Sequence, residues 1–132
     1  MRKEHVNPAS LFRSVEHGFS QVVTASGAKT VFISGQAAWD ANKQIVALNL
    51  GEQARQAFRN VGAAVEAAGG NLGDIVALRI YFVHHTSQNV EVISSALREF
   101  FATNPPTSTW VGVSSLARPD FLIEIEATAV LQ

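Results

Sequence analysis

Apolar positions along this chain follow two periods, and where the period changes the elements change. Ala54, Ala57, Phe58, Val61, Ala64, Val65 and Ala68 recur every three or four residues, which is one face of a helix. Asn49 and Glu52 stand ahead of that run as a capping box, and Gly69-Gly70 follows it as a stop. Val90, Ile93, Leu97, Phe100 and Phe101 repeat the helical spacing, and Asn104-Pro105-Pro106 ends it. Elsewhere the period is two. IVALRIYFV, residues 75 to 83, predicts a strand with Val76, Leu78, Ile80 and Phe82 toward the core and Ala77, Arg79, Tyr81 and Val83 on the other face. FLIEIEATAV, residues 121 to 130, predicts another, with Ile123, Ile125, Ala127 and Ala129 on one face and Leu122, Glu124, Glu126 and Thr128 on the other. TWVGV is a shorter strand between them. FSQVVTA and TVFISGQ, joined by GAK, read as a hairpin over Phe19 to Gln36.

The order is ββαβαββ, an α+β fold in which both helices cover one face of a single sheet. The opposite face would carry Arg79, Tyr81, Leu122, Glu124, Glu126, Thr128 and Val130, too apolar for plain solvent surface and too charged for a second core. An oligomer resolves this, with partner sheets covering the apolar part and polar groups gathering in clefts between subunits.

Composition narrows the function classes. The chain has 132 residues, 47% of them hydrophobic, enough for one domain with one core, and no repeat or linker divides it, so residues 1–132 are read as one domain. A formal net charge of −1 offers no grip on a phosphate backbone or an anionic membrane, so neither nucleic acid nor membrane is an expected partner. The absence of cysteine removes disulfides and thiolate chemistry. MRKEHVNPASLF has no apolar run of a secretory signal, and no segment reaches membrane-spanning length, so the chain reads as soluble, with the cytoplasm as default location. His84-His85 sits at a strand end, where a solvated turn is the plain reading, and His5 and His17 match no ligand spacing; no metal or other cofactor is expected.

Three segments then carry a family resemblance. NVGAAVEAAGGNLGDIVALRIYFV, the ISGQ at 33 to 36, and VGVSSLARPDFLIEIEATAV resemble the YjgF/RidA (endoribonuclease L-PSP-like) family, in order and over residues 17 to 132. The resemblance implies a chorismate-mutase-like fold and a homotrimer whose three sheets form a central barrel, with small-molecule clefts between subunits. It also implies hydrolysis of reactive enamines and imines: an arginine clamps the substrate carboxylate, and water positioned by a glutamate and backbone groups attacks the C=N carbon.

Carried over residue by residue, Glu124 matches the cleft glutamate and is the candidate catalyst, while Ser34-Gly35 matches the loop lining the cleft. The segment that usually holds the clamp reads Pro106-Thr107-Ser108-Thr109-Trp110, with Ser108 in the arginine position, Thr109 beside it and Trp110 where a cysteine is frequent. Phe19 stands in place of a cleft tyrosine and Ser94 in place of an asparagine. A serine hydroxyl cannot form the charged fork that fixes a carboxylate, so the family's usual α-imino acids are not the expected substrates, and this chain resembles members that lack the arginine. Arg79 is the one cation on the same sheet face that could substitute; its plain reading is a cross-strand partner for a glutamate. Glu126 reads as a surface or interface charge, and Trp110 as either interface filler or ligand platform. The functional expectation is an enamine- or imine-directed hydrolase (deaminase), the alternative a non-catalytic trimer that binds a small metabolite, and third a ribonuclease, which the near-neutral charge and absence of a basic-aromatic stripe disfavour.

Overall fold

The computed structural model describes residues 2–45 and 47–132. In chain order it contains β1 (Arg2–Val6), β2 (Val22–Ser26), β3 (Lys29–Gln36), α1 (Leu50–Ala67), β4 (Ile75–Phe82), α2 (Ser87–Phe100), β5 (Thr107–Gly112) and β6 (Ile123–Leu131), with single 3₁₀ turns at Ser14–His17 and Leu72–Asp74. The architecture is α+β with two helices, as the apolar periods predict.

The strands form a four-stranded sheet of order β3-β6-β4-β5 and a two-stranded sheet of β1 and β2. A parallel bridge between Ser20 and Thr107 links them, with Ser20 N–H donating to the Pro106 carbonyl at 2.9 Å. The expected hairpin from Phe19 to Gln36 does not form: β2 pairs antiparallel with β1, and β3 pairs antiparallel with β6. The physical reason lies at Gly27, where an added Cβ would stand 2.5 Å from the Leu131 carbonyl oxygen. That glycine marks a close crossing over the end of β6, and the two residues there bend the chain from one sheet to the other. β1 is an element beyond the sequence reading, because Arg2-Lys3-Glu4-His5-Val6 carries no apolar alternation to reveal it.

α1 is capped by Asn49, whose side chain accepts from Glu52 N–H at 2.9 Å; Glu52 turns to Arg55 at 3.0 Å, so only half of the expected box is made. It ends at Ala67, and two residues on the chain turns out of the helix at Gly69, with φ at +98°. Its inner face, Ala54, Ala57, Phe58, Val61 and Val65, is fully buried, and Phe58 meets Phe100 and Phe101 at ring separations of 5.2 and 5.9 Å. Burying one such ring contributes about 2 to 3 kcal/mol. β6 alternates as predicted, with Ile123, Ile125, Ala127, Ala129 and Leu131 buried beneath the helices. β4 departs by one position: a register shift between Ile75 and Ala77 puts Ile75, not Val76, into the core, and Val83 past the strand end is buried as well. Among the described residues no helix is long and apolar enough to cross a membrane.

Candidate functional site

The face that the helices leave open is built by β6 and its neighbours. Register pairs Glu124 with Tyr81 and Glu126 with Arg79, while Arg79 also faces Thr109 across β5. The two glutamates then part company. Glu126 accepts from the Tyr81 hydroxyl at 3.2 Å and sits 3.8 Å from Arg79 Nη1. Both partners of that ion pair are substantially exposed, so it stabilises little, yet it occupies the arginine. Glu124, half-buried, has neither a hydrogen bond nor an ion pair among the described residues.

What lies against Glu124 is backbone. Ile33 pairs with Ala127 and Gln36 with Ile125, so Ser34 and Gly35 together oppose Glu126: two residues against one, a β-bulge. The bulge brings Gly35 so close to Glu124 that an added Cβ would stand 2.2 Å from its Oε1. A bulge re-aims backbone, and the glycine is what lets the carboxylate lie against it.

The remaining predicted residues stand on the other side of the sheet. Ser108 pairs with Leu78 and Trp110 with Ile80, so both point toward the helix layer. Trp110 Nε1 donates to Ser108 Oγ at 2.6 Å, and the indole lies 5.8 Å from the Phe19 ring, which in turn lies 6.1 Å from Phe12. Phe12 is 62% exposed, so this aromatic ladder reaches the surface. Ser94 is buried and committed: it donates to the His17 carbonyl at 2.6 Å and accepts from Arg98 Nη1 at 2.9 Å. It fastens the Ser14–His17 turn onto α2.

Within one chain, then, Glu124, Ser34, Gly35, Arg79 and Thr109 form one group and Phe19, Ser108 and Trp110 another, with the sheet between them. Gln53 is a positioning residue that the sequence reading passed over. Fully buried on α1, its Nε2 donates to the Ala47 and Asp120 carbonyls at 2.9 and 2.8 Å and its Oε1 accepts from Leu122 N–H at 2.8 Å. It holds the entry into β6 two residues ahead of Glu124. Among the described residues no three His, Cys, Asp or Glu side chains gather as metal ligands.

Residues 12–131 match the family described as Endoribonuclease L-PSP. The chain belongs to this family. Within it, the chain is similar to the 2-iminobutanoate/2-iminopropanoate deaminase of Salmonella typhimurium, 36% identical over 103 residues covering 76% of this chain and 78% of that protein. The deaminase of Dermatophagoides farinae is 30% identical over 115 residues, 86% of each. Among solved structures, a Rid-family protein of unknown function from Yersinia pestis, YyfB, superposes with a TM-score of 0.95 at 37% identity, covering 99% of this chain and 100% of that one. The family match starts at residue 12, so β1 lies ahead of it.

Proposed function

We propose that this L-PSP-family protein is a RidA-like hydrolase that deaminates an enamine, imine or related C=N compound in clefts between copies of the chain, on substrates other than the small α-imino acids. The observation that carries it is the Glu124 carboxylate, without a partner among the described residues and laid against the Ser34-Gly35 bulge. A carboxylate so placed accepts a proton from water as the water oxygen bonds to the C=N carbon. The carboxyl returns that proton to the nitrogen, and as the C–N bond breaks the adduct's hydroxyl proton also passes to it, releasing the carbonyl compound and ammonia. The net reaction consumes one water and needs no redox partner. The deaminase relatives support the reaction class.

Two features support the departure in substrate. Ser108 offers one neutral hydroxyl, already engaged by Trp110, where a charged fork would be needed for a carboxylate. Arg79 is turned to Glu126. The ligand is then held by the aromatic ladder and by backbone groups, which suits a flatter and less charged C=N compound.

A homotrimer supplies the cleft. The open sheet face carries Phe32, 81% exposed, beside Thr128 across the β3–β6 pair, a ring that a neighbouring copy would cover. A neighbouring copy would bring its Phe19-Ser108-Trp110 edge to Glu124. Light scattering at micromolar concentration should return three chain masses; a folded monomer would remove the cleft and the proposal with it.

The activity is tested by ammonia release from imines generated in place. Hydrolysis of 2-iminobutanoate, followed by competition with semicarbazide, should be at least tenfold slower than with an arginine-bearing relative, whereas imines without a carboxylate should turn over. Comparable rates on 2-iminobutanoate would show that another cation clamps the carboxylate. Ligand binding without turnover across the panel would leave the metabolite-binding trimer as the function.

A further inference from the structure

Both sides of β1 are polar. Strand alternation places Arg2, Glu4 and Val6 outward, with Arg2 and Glu4 paired at 3.1 Å, and Lys3 and His5 toward the protein, half-buried. The two inward residues border a recess of about 400 Å³ between β1, the Leu72–Asp74 turn and the connection from α2 to β5, with Leu72, Phe100 and Phe101 as its apolar wall and Thr103 at its rim. That volume lies in the range of small-ligand sites.

The charges in the recess are not settled internally. Lys3 Nζ donates to the Gly73 and Ile75 carbonyls at 2.6 and 3.3 Å, which fastens the ammonium without neutralising it. Among the described residues Lys3 has no ion-pair partner; the nearby Asp74 spends Oδ2 on capping Asn71 N–H at 3.0 Å. Burial therefore pushes the Lys3 amine below its ordinary range, with Asp74 opposing only in part. His5, by contrast, is held neutral. Ser20 Oγ gives its hydrogen to the Pro105 carbonyl, so at 3.1 Å it can only accept from His5 Nδ1. The imidazole is thereby held as its Nδ1–H tautomer, and its Nε2 is buried with no partner among the described residues. Burial first, then the Lys3 charge, pushes its pKa down. The His5 Nε2 lone pair can only accept, so it is not a site for an anion; the Lys3 ammonium, without a counter-ion among the described residues and beside an apolar recess, is what an absent anion would explain.

We propose that this recess binds a small organic carboxylate, its charge on the Lys3 ammonium and its apolar body on Leu72, Phe100 and Phe101. The site is remote in sequence from Glu124 and its bulge, and β1 lies outside the segment matched to the family.

The test titrates the whole protein with phenylacetate, its neutral analogue phenylacetamide, and inorganic phosphate, reading backbone amide resonances by NMR. Phenylacetate should shift residues 72–73 and 100–104 saturably, and phenylacetamide and phosphate should bind at least tenfold more weakly. Lys3→Met should weaken phenylacetate at least tenfold, and Thr103→Trp, at an exposed position, should block the recess while leaving Lys3 in place. Should Lys3→Met fail to give a dispersed spectrum, Thr103→Trp carries the test. The proposal is overturned by an absence of saturable shifts in the wild type, by equal binding of the amide, by wild-type affinity in both folded variants, or by shifts confined to the Glu124 face. Phosphate binding as tightly as phenylacetate would show a bare anion site and overturn the carboxylate assignment.

Discussion

Gln53→Leu is expected to destabilise the protein by about 3 kcal/mol, one of the larger losses available from a substitution that barely changes volume. The leucine would fill the glutamine's place but leave Leu122 N–H and the carbonyls of Ala47 and Asp120 without the partners they have now. A buried polar group left unmade costs about 1 to 3 kcal/mol, and the two carbonyls, in loops near the surface, regain part of this from water. For a chain of this length 3 kcal/mol corresponds to about 10 °C in the melting midpoint. Urea unfolding checks it: the midpoint should fall with the slope unchanged. A loss below about 0.5 kcal/mol would mean that the loops re-pair elsewhere, against the reading of Gln53 as the clamp on β6.

Gly35→Ala is expected to leave the fold in place and to lower turnover of the cognate C=N substrate about a hundredfold. The new methyl would stand 2.2 Å from Glu124 Oε1 and 2.8 Å from its Cδ, so the carboxylate must move. Gly35 is exposed, and the carboxylate is the free end of a flexible side chain, so the cost in stability is small. The cost in rate is not, because displacing a reacting group by about 1 Å can lose two orders of magnitude. Glu124→Gln, which keeps the shape and removes the base, should lose about 100- to 10,000-fold. Glu126→Gln should change the rate less than threefold, since that carboxylate is engaged with Tyr81 and Arg79. Equal effects at 124 and 126 would return both to ordinary sheet surface.

The parts of the fold legible in the sequence are those with a local cause. Both helices follow from a three-to-four repeat with caps, and β6 follows from strict alternation that survives in the structure. β1 was not legible, since Arg2-Lys3-Glu4-His5-Val6 lacks the apolar half of the pattern. The false hairpin has a different cause: glycine signals a sharp change of direction without saying whether the chain reverses or merely crosses a neighbour, and only the Leu131 contact distinguishes the two. The same holds for Val76, whose parity depends on a bulge that no spacing rule marks.

The candidate site was legible in the same uneven way. Alternation put Glu124, Arg79 and Tyr81 on one face, but the register of β5 against β4, which sends Ser108 and Trp110 to the opposite side from Glu124, comes from pairing with a strand distant in sequence. Gln53 gave no signal, because a glutamine inside a helix reads as surface until the segments it bonds are seen to pass beneath it.

The bulge at Ser34-Gly35 has a second bearing, on self-association. β3 is the outer strand of the four-stranded sheet, eight residues long and carrying an exposed Phe32, and a regular strand of that length would present an unbroken template to a neighbouring chain. Two residues against one interrupt the row of donors and acceptors and twist the strand away from a flat edge. Engineering that regularised β3, by deleting Ser34 for instance, would remove the backbone beside Glu124 and the guard against fibrillar stacking in one step.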